Sequence, residues 1–280
     1  TIANNQGAAE HYYHFGMEKG IPVVGDFDGD GVDQVGVFID GQWFVDVNGN
    51  GVWDDGDLWI RLGAEGDQPV TGDWDGDGKT DIGIFGPSWI GDPAALQAEA
   101  GLPDGQNEPN GGYKNLPETP NQVLDQVRTM KKTAEGRLRA DAIDHVFRYG
   151  TAGDRAVAGD WNGDGIATIG IFRNGVWYLD VDGNGQWSEP DLEFEFGQSG
   201  DIPVVGDFNG DGIDQVGVYR AGKWHLDTNG NRQLDAQDQV FSLGGADDTP
   251  IVGDFDGDGV DQIGVYQGGA TPDRQAVIPT

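Results

Sequence analysis

Cysteine is absent, so no disulfide can staple the chain and no thiolate can act as a nucleophile or metal ligand. Bases are scarce: 16 Lys and Arg stand against 49 Asp and Glu, for a formal net charge of −33. That balance removes nucleic acid and anionic membrane surfaces from the expected partners, since both are held by basic patches. No apolar run approaches the length of a spanning helix, so no membrane insertion is expected. There is no Asn-x-Ser/Thr sequon. Thr1–Glu10 has no signal-peptide pattern, which fits a mature product or an excised fragment. The four histidines (His11, His14, His145 and His225) have no serine or cysteine nucleophile beside them in sequence. A carboxylate pair of the glycosidase kind stays open in principle. Yet nearly every aspartate belongs to a repeated loop, whereas a catalytic residue should break a repeat. A binding or scaffolding protein is expected, not an enzyme.

What the chain has in abundance is glycine, 49 of 280 residues, together with 9 Trp, 12 Phe and 7 Tyr at regular intervals. Glycine demands tight turns, and spaced aromatics argue against disorder. The string GDFDGDG begins at Gly25 and recurs in variant form at Gly72, Gly159, Gly206 and Gly253, at spacings of 47, 87, 47 and 47. The odd interval is one repeat plus an insertion of forty residues. A complete unit runs from Ile21 to Gly63 and its match from Ile202 to Gly244. Within it lie four β-rich runs, Pro22–Gly25, Gln34–Ile39, Gln42–Asp46 and Leu58–Leu62, separated by Gly and Asp clusters. Four short strands per unit of this length is the arithmetic of a propeller blade. The expected fold is therefore all-β: one domain over residues 1–280, a five-bladed β-propeller. The final unit starts at Pro250 and supplies two strands. His11–Gly16 resembles the last strand of a unit, so the two termini should share one blade, with either Gly268–Thr280 or Thr1–Ala9 in its third place.

Each GDFDGDG string spaces oxygen side chains at alternate positions, with glycine where the backbone must turn sharply. In the first copy Asp26, Asp28 and Asp30 are candidate ligands, joined by the Val32 carbonyl and the Gln34 side-chain oxygen. The second offers Asp73, Asp75, Asp77 and Asp81. The third offers Asp160, Asn162 and Asp164, with Thr168 a further candidate. The fourth offers Asp207, Asn209 and Asp211, and the fifth Asp254, Asp256 and Asp258. A second loop type follows the third run. Asp46, Asn48, Asn50, Asp54 and Asp57 stand at intervals 1, 3, 5, 9 and 12, the spacing of an EF-hand loop. Asp180, Asp182, Asn184, Ser188 and Asp191 repeat it, as do Asp227, Asn229, Asn231, Asp235 and Asp238, where Arg232 replaces the turn glycine. Asp, Asn and Gly also make ordinary turns, and one hexapeptide would mean little; eight in fixed register point to metal. Oxygen donors without His or Cys select Ca2+. With 26 of the 49 acids in these loops, eight calcium ions would bring −33 to −17.

The first loop followed by Gly-Val-Phe or Gly-Ile-Phe resembles the FG-GAP/VCBS-type repeats of integrin-like and bacterial surface β-propellers. The resemblance covers the chain apart from the insertion and the tails. It implies calcium in the hairpin between the first two strands of each blade, an extracellular location and a role in adhesion or recognition. Two departures stand out: such repeats usually carry an acid at the ninth loop position, which only Asp81 does, and integrin propellers have seven blades. The second loops look more like dockerin or EF-hand loops.

Phe27, Trp74, Trp161, Phe208 and Phe255 recur in the first loop, and Trp43, Trp177 and Trp224 in the third run, in positions suited to packing between blades. Trp53, Trp187 and Leu234 share the eighth place of the second loop, where an EF-hand holds a packing residue. An exposed tryptophan could instead stack on sugars. Residues 87–144 leave the pattern, as a mostly helical insertion in the second blade. Asp92-Pro93 can start a short helix, and Thr119–Gln122 is a capping box before Val123, Val127, Met130, Ala134 and Leu138 at helical spacing. Seven of the sixteen bases lie between Lys114 and Arg148. The expected partners are a protein or glycan ligand at the cell surface, or copies of the chain itself. Strand donation or the basic insertion would join such copies into a filament or layer.

Overall fold

The computed structural model of the chain describes residues 19–51, 57–85, 144–146, 149–150, 153–183, 185, 187 and 189–267. In the first repeat β1 (Ile21–Gly25), β2 (Gln34–Ile39), β3 (Gln42–Val45) and β4 (Leu58–Arg61) form an antiparallel sheet in that order. The bounds match the four runs read from the sequence to within a residue. Asp40-Gly41 turns β2 into β3 with φ of 50° and 79°, the two-residue geometry that suits strand twist. A Cβ on Gly41 would run into the Gly63 carbonyl, so the second turn position has to be glycine.

The second repeat supplies β5 (Gln68–Gly72), β6 (Asp81–Phe85) and β7 (Asp144–Val146). Here β7 pairs directly with β6, and in parallel. In a complete repeat the fourth strand runs parallel to the second with the third between them. β7 lies about one repeat length before the fourth strand of the next unit, so it occupies the fourth strand's course with no third strand interposed. Asp144, expected to end the insertion, is thus already in the sheet. The expected helices, His11–Gly16 and Gly268–Thr280 lie outside the described residues.

The third repeat gives β8 (Arg155–Gly159), β9 (Thr168–Arg173), β10 (Val176–Leu179) and β11 (Leu192–Glu195). The fourth gives β12 (Ile202–Gly206), β13 (Gln215–Arg220), β14 (Lys223–Leu226) and β15 (Gln239–Ser242). Both are four-stranded antiparallel sheets, and β16 (Thr249–Gly253) with β17 (Gln262–Tyr266) makes a two-stranded one. The fold is all-β, with no helix among the described residues.

The core lies between sheets. β2, β9 and β13 are buried along nearly their whole length, because both faces are covered by neighbours. Val35 and Val37 pack with Ile251, Phe255 and Tyr266; Val216 and Val218 pack with Trp161 and Trp177; Ile263 and Val265 pack with Phe208 and Trp224. All eight recurrent aromatics of the first loop and third strand are buried. The first strands neighbour one another in the order β1, β5, β8, β12, β16 and back to β1. Backbone hydrogen bonds follow the same order. Thr80 N–H donates to Asp26 carbonyl oxygen (2.7 Å), Ala167 to Asp73 (2.7 Å), Asp214 to Asp160 (2.9 Å), Asp261 to Asp207 (2.8 Å) and Asp33 to Asp254 (2.7 Å).

Candidate metal centres

The first aspartate of each first-type loop acts as its hub. Asp26 Oδ1 accepts the N–H groups of Gly29 (2.7 Å) and Asp30 (3.1 Å), and Oδ2 accepts that of Gly31 (2.8 Å). Asp73, Asp160, Asp207 and Asp254 repeat all three bonds. The wrap turns the following side chains toward one another. Carboxylate oxygens of Asp26, Asp28 and Asp30 lie within 4.8 Å of each other, as do those of Asp254, Asp256 and Asp258. In the second copy the group is Asp73, Asp75 and Asp81. Asp77 is not part of it; its Oδ1 accepts Lys79 N–H (2.9 Å). The third and fourth loops carry two carboxylates each. Asn162 and Asn209 turn Oδ1 to the N–H groups of Asp164 and Asp211 (2.9 Å each), and Asn162 Nδ2 donates to Asp164 Oδ2 (3.0 Å).

The closing residue sorts these loops further. Asp81 accepts Trp74 N–H on Oδ2 (3.2 Å) and still contributes an oxygen to its cluster. Gln34 spends its oxygen on the same task, accepting Phe27 N–H (2.7 Å). Its Nε2 therefore faces the loop, donating to Asp28 Oδ1 (3.2 Å) and to the Val32 carbonyl (2.5 Å). Where Asp81 places a carboxylate oxygen, Gln34 turns an amide N–H group, and the Val32 carbonyl accepts one of its hydrogen bonds. Gln262 repeats the arrangement with Asp256 and the Val260 carbonyl, and Gln215 does so with Asp211 and the Ile213 carbonyl. Thr168 Oγ1 points elsewhere, donating to the Asp180 carbonyl (2.6 Å).

In the second loop type the first aspartate is almost fully buried: Asp46 and Asp180 are 0% exposed and Asp227 1%. Asp180, Asp182 and Asp191 converge within 4.8 Å. Asp46 takes Gly51 N–H on Oδ2 (2.6 Å), and Asn48 Oδ1 takes Asn50 N–H (3.1 Å). Asp227 accepts Asn231 N–H (3.1 Å) and Arg232 N–H (2.7 Å), Arg232 adopting φ of 61° in the glycine's place. Asn229 Oδ1 accepts Asn231 N–H (2.9 Å), and Asn231 Nδ2 donates to Asp235 Oδ2 (3.0 Å). Asp238 Oδ2 accepts Asp235 N–H (2.7 Å), while its Oδ1 is buried with no hydrogen-bond partner among the described residues. Asp54, Asn184 and Ser188 lie outside the described residues.

The electrostatics are those of sites short of positive charge. Desolvation, then the neighbouring carboxylates, raises Asp28, Asp75 and Asp256 above the usual range. Burial pushes Asp46 up to about 6, with Asp57 adding to it, and Asp180 up to about 7, with Asp191 and Asp182 adding. Burial raises Asp227 and Asp238 likewise. Close, poorly hydrated carboxylates and an orphaned oxygen on Asp238 fit a hard divalent cation, which would supply the missing charge. Four of the predicted loops thus bring together carboxylates that could hold metal ions.

One role escaped the sequence reading. Asp33, Asp214 and Asp261 follow the first-type loops and are not among the candidate ligands. Their Oδ2 atoms accept the N–H groups of Asp254 (2.9 Å), Asp160 (2.7 Å) and Asp207 (2.8 Å), so each ties its loop to the hub of an adjoining repeat. Asp214 and Asp261 recur one 47-residue repeat apart, and Asp33 holds the same place in the first loop, which is the signal the sequence carried. No protein-family model and no curated protein matches the chain.

Proposed function

We propose that the chain is a five-bladed β-propeller whose loops hold calcium and whose surface serves recognition or adhesion outside the cell. The observation that carries this reading is the cyclic order of the first strands, with five loop-to-loop hydrogen bonds running the same way round. The hubs Asp26, Asp73, Asp160, Asp207 and Asp254 take part in that cycle and also head the loops where carboxylates gather. The resemblance to FG-GAP/VCBS-type repeats supports the same reading, as does the preference of oxygen-only sites for calcium. Asp73, Asp75 and Asp81 would hold one ion, Asp26, Asp28 and Asp30 another, Asp254, Asp256 and Asp258 a third, and Asp180, Asp182 and Asp191 a fourth. When bound, calcium supplies the charge that these buried carboxylates lack and cross-links each loop. Loops stiffened in this way can present a ligand-binding surface at little cost in conformational entropy.

Calorimetry with and without a chelator tests the metal. A ligand bound only by the native state adds about 2.7 kcal/mol per site at a hundredfold excess over Kd. A strongly raised melting temperature in millimolar calcium is expected. An unchanged one would overturn the metal reading.

A second reading, a subunit of a self-assembling filament or layer, has one observation in its favour. β17 has no strand on its outer edge among the described residues, and an open edge can accept a donated strand. Sedimentation in calcium separates the two: the recognition module stays monomeric.

A further inference from the structure

The second loop of the third repeat gathers Asp180, Asp182 and Asp191, whose carboxylate oxygens lie within 4.8 Å of one another. Backbone groups hold it in place. Asp180 N–H donates to the Ile169 carbonyl on β9 (3.0 Å), Asp180 Oδ2 accepts Gly185 N–H (2.7 Å) and Asp191 Oδ1 accepts Val181 N–H (3.0 Å). All of these residues belong to one repeat. A further polar group comes from the repeat before. Tyr149 stands three residues beyond β7, where the chain has returned from the insertion. Its side chain packs in the core with Ile169 and Ile171 of the next sheet, and with Gly185 it lines a cavity of about 270 Å³. The residue is 5% exposed, and its hydroxyl is buried with no hydrogen-bond partner among the described residues.

That hydroxyl faces acids. Burial first, then Asp191, Asp180 and Asp182, raises the phenol above its ordinary pKa, so it keeps a proton to give beside three acceptors. A buried hydroxyl without a partner is destabilising. Packing alone does not call for one, because Leu62, Phe196 and Leu243 hold the same place in other units. The fourth repeat makes the comparison direct. There Phe196 packs with Val216 and Val218, and Asp227, which heads the corresponding loop, donates its N–H to the Val216 carbonyl (3.0 Å). The layout is the same and the hydroxyl is missing.

We propose that Tyr149 belongs to this calcium site, reaching it from across the seam between repeats: with the ion held by Asp180, Asp182 and Asp191, its hydroxyl donates to one of the coordinating carboxylates and fixes it in place. Tyr149 is a positioning residue and not a ligand, since carboxylates that bind metal are themselves oriented by hydrogen bonds from outside the coordination shell. Occupancy of a loop in the third repeat then pins the point where the chain returns from the insertion, and calcium ties the second repeat to the third. The inference rests on the calcium reading and adds to it a residue and a link between repeats.

Melting curves of the full chain test it, for the parent, Tyr149→Phe, Asp182→Asn and the double variant, each in millimolar calcium and in chelator. Asp182 is the exposed member of the cluster, so its amide variant should fold. In calcium Tyr149→Phe should lower the melting temperature by about 2–4 °C. In chelator it should leave it unchanged or raise it, because only an unsatisfied hydroxyl is lost. A role in packing alone would move both values the same way. With Asp182→Asn the loss in calcium should vanish, whereas Asp75→Asn, in the second repeat's own loop, should leave it intact. The inference is overturned if Tyr149→Phe lowers both temperatures equally, changes neither, or acts alike with and without Asp182→Asn. A parent that calcium does not stabilise would sink the metal reading and this inference with it; a stabilised parent with an indifferent Tyr149→Phe would sink this inference alone.

Discussion

Asp81 and Gln34 occupy the same place in their loops and differ in what they aim at the other side chains. Asp81 adds an oxygen to Asp73 and Asp75; Gln34 adds an N–H group that already serves Asp28. The second loop should therefore be the tightest of the five, and Gln34→Asp should raise calcium affinity of the first loop on the order of tenfold, about 1.4 kcal/mol. In chelator the same change should lower the melting temperature, since a repelling carboxylate replaces a donor. Calorimetric titration of the variant beside the parent checks both signs. Asp33 and Asp214 allow a pH argument. Both keep some solvent access but sit deep among protein atoms, and burial pushes each carboxyl up to about 7, only partly offset by the backbone N–H it accepts. Unfolded, each would titrate near 3.9. A folded pKa above the unfolded one means that ionisation opposes folding. The penalty is absent below about pH 4, grows through the window up to about 7 and is complete above it. Metal-free protein should thus melt at a higher temperature at pH 5.5 than at pH 8. Asp214→Asn, which can still accept Asp160 N–H, should flatten that slope in a melting series.

At the scale of the element, the third strand carries the pin that holds the fourth. Trp43, Trp177 and Trp224 are buried, and their indole N–H groups donate to the carbonyls of Leu62 (3.0 Å), Phe196 (2.8 Å) and Leu243 (3.0 Å). Trp177→Phe keeps most of the apolar volume but strands the Phe196 carbonyl. A loss of about 1–3 kcal/mol is expected, read as a lower urea midpoint at fixed calcium. In the second repeat no third strand stands between the second strand and the next one among the described residues. β7 moves against β6 in parallel, a pairing that a four-strand reading of the sequence had no reason to expect. Mid-strand glycine is equally specific: a Cβ on Gly36 would lie 2.8 Å from the Phe44 carbonyl oxygen and 2.9 Å from Val23 Cγ2.

For the whole molecule, the bonds between Asp33 and Asp254 matter most, because they join residues 221 apart. If the first strands form a closed ring, a chain ending at Gly245 should lose cooperative melting altogether, with calcium no longer giving one sharp transition; limited proteolysis would report the same loss. Strand bounds, turn glycines and buried aromatics were legible from local chemistry alone, because each depends on backbone preference and side-chain period within one repeat. The aspartate loops were legible for the same reason, since hub and ligands lie within a few residues of one another. Two things were not. The sequence cannot show that Phe27 N–H, brought close by the fold, takes the Gln34 side-chain oxygen. Nor can it show that Asp33, Asp214 and Asp261 bond the hubs of other repeats, because those hubs arrive only with the fold. The amino-acid sequence by itself determined the unit and its loops, since those are local; which polar atoms find partners across units, and which are left waiting for one, only the tertiary structure decided, because it depends on surfaces far apart in the chain.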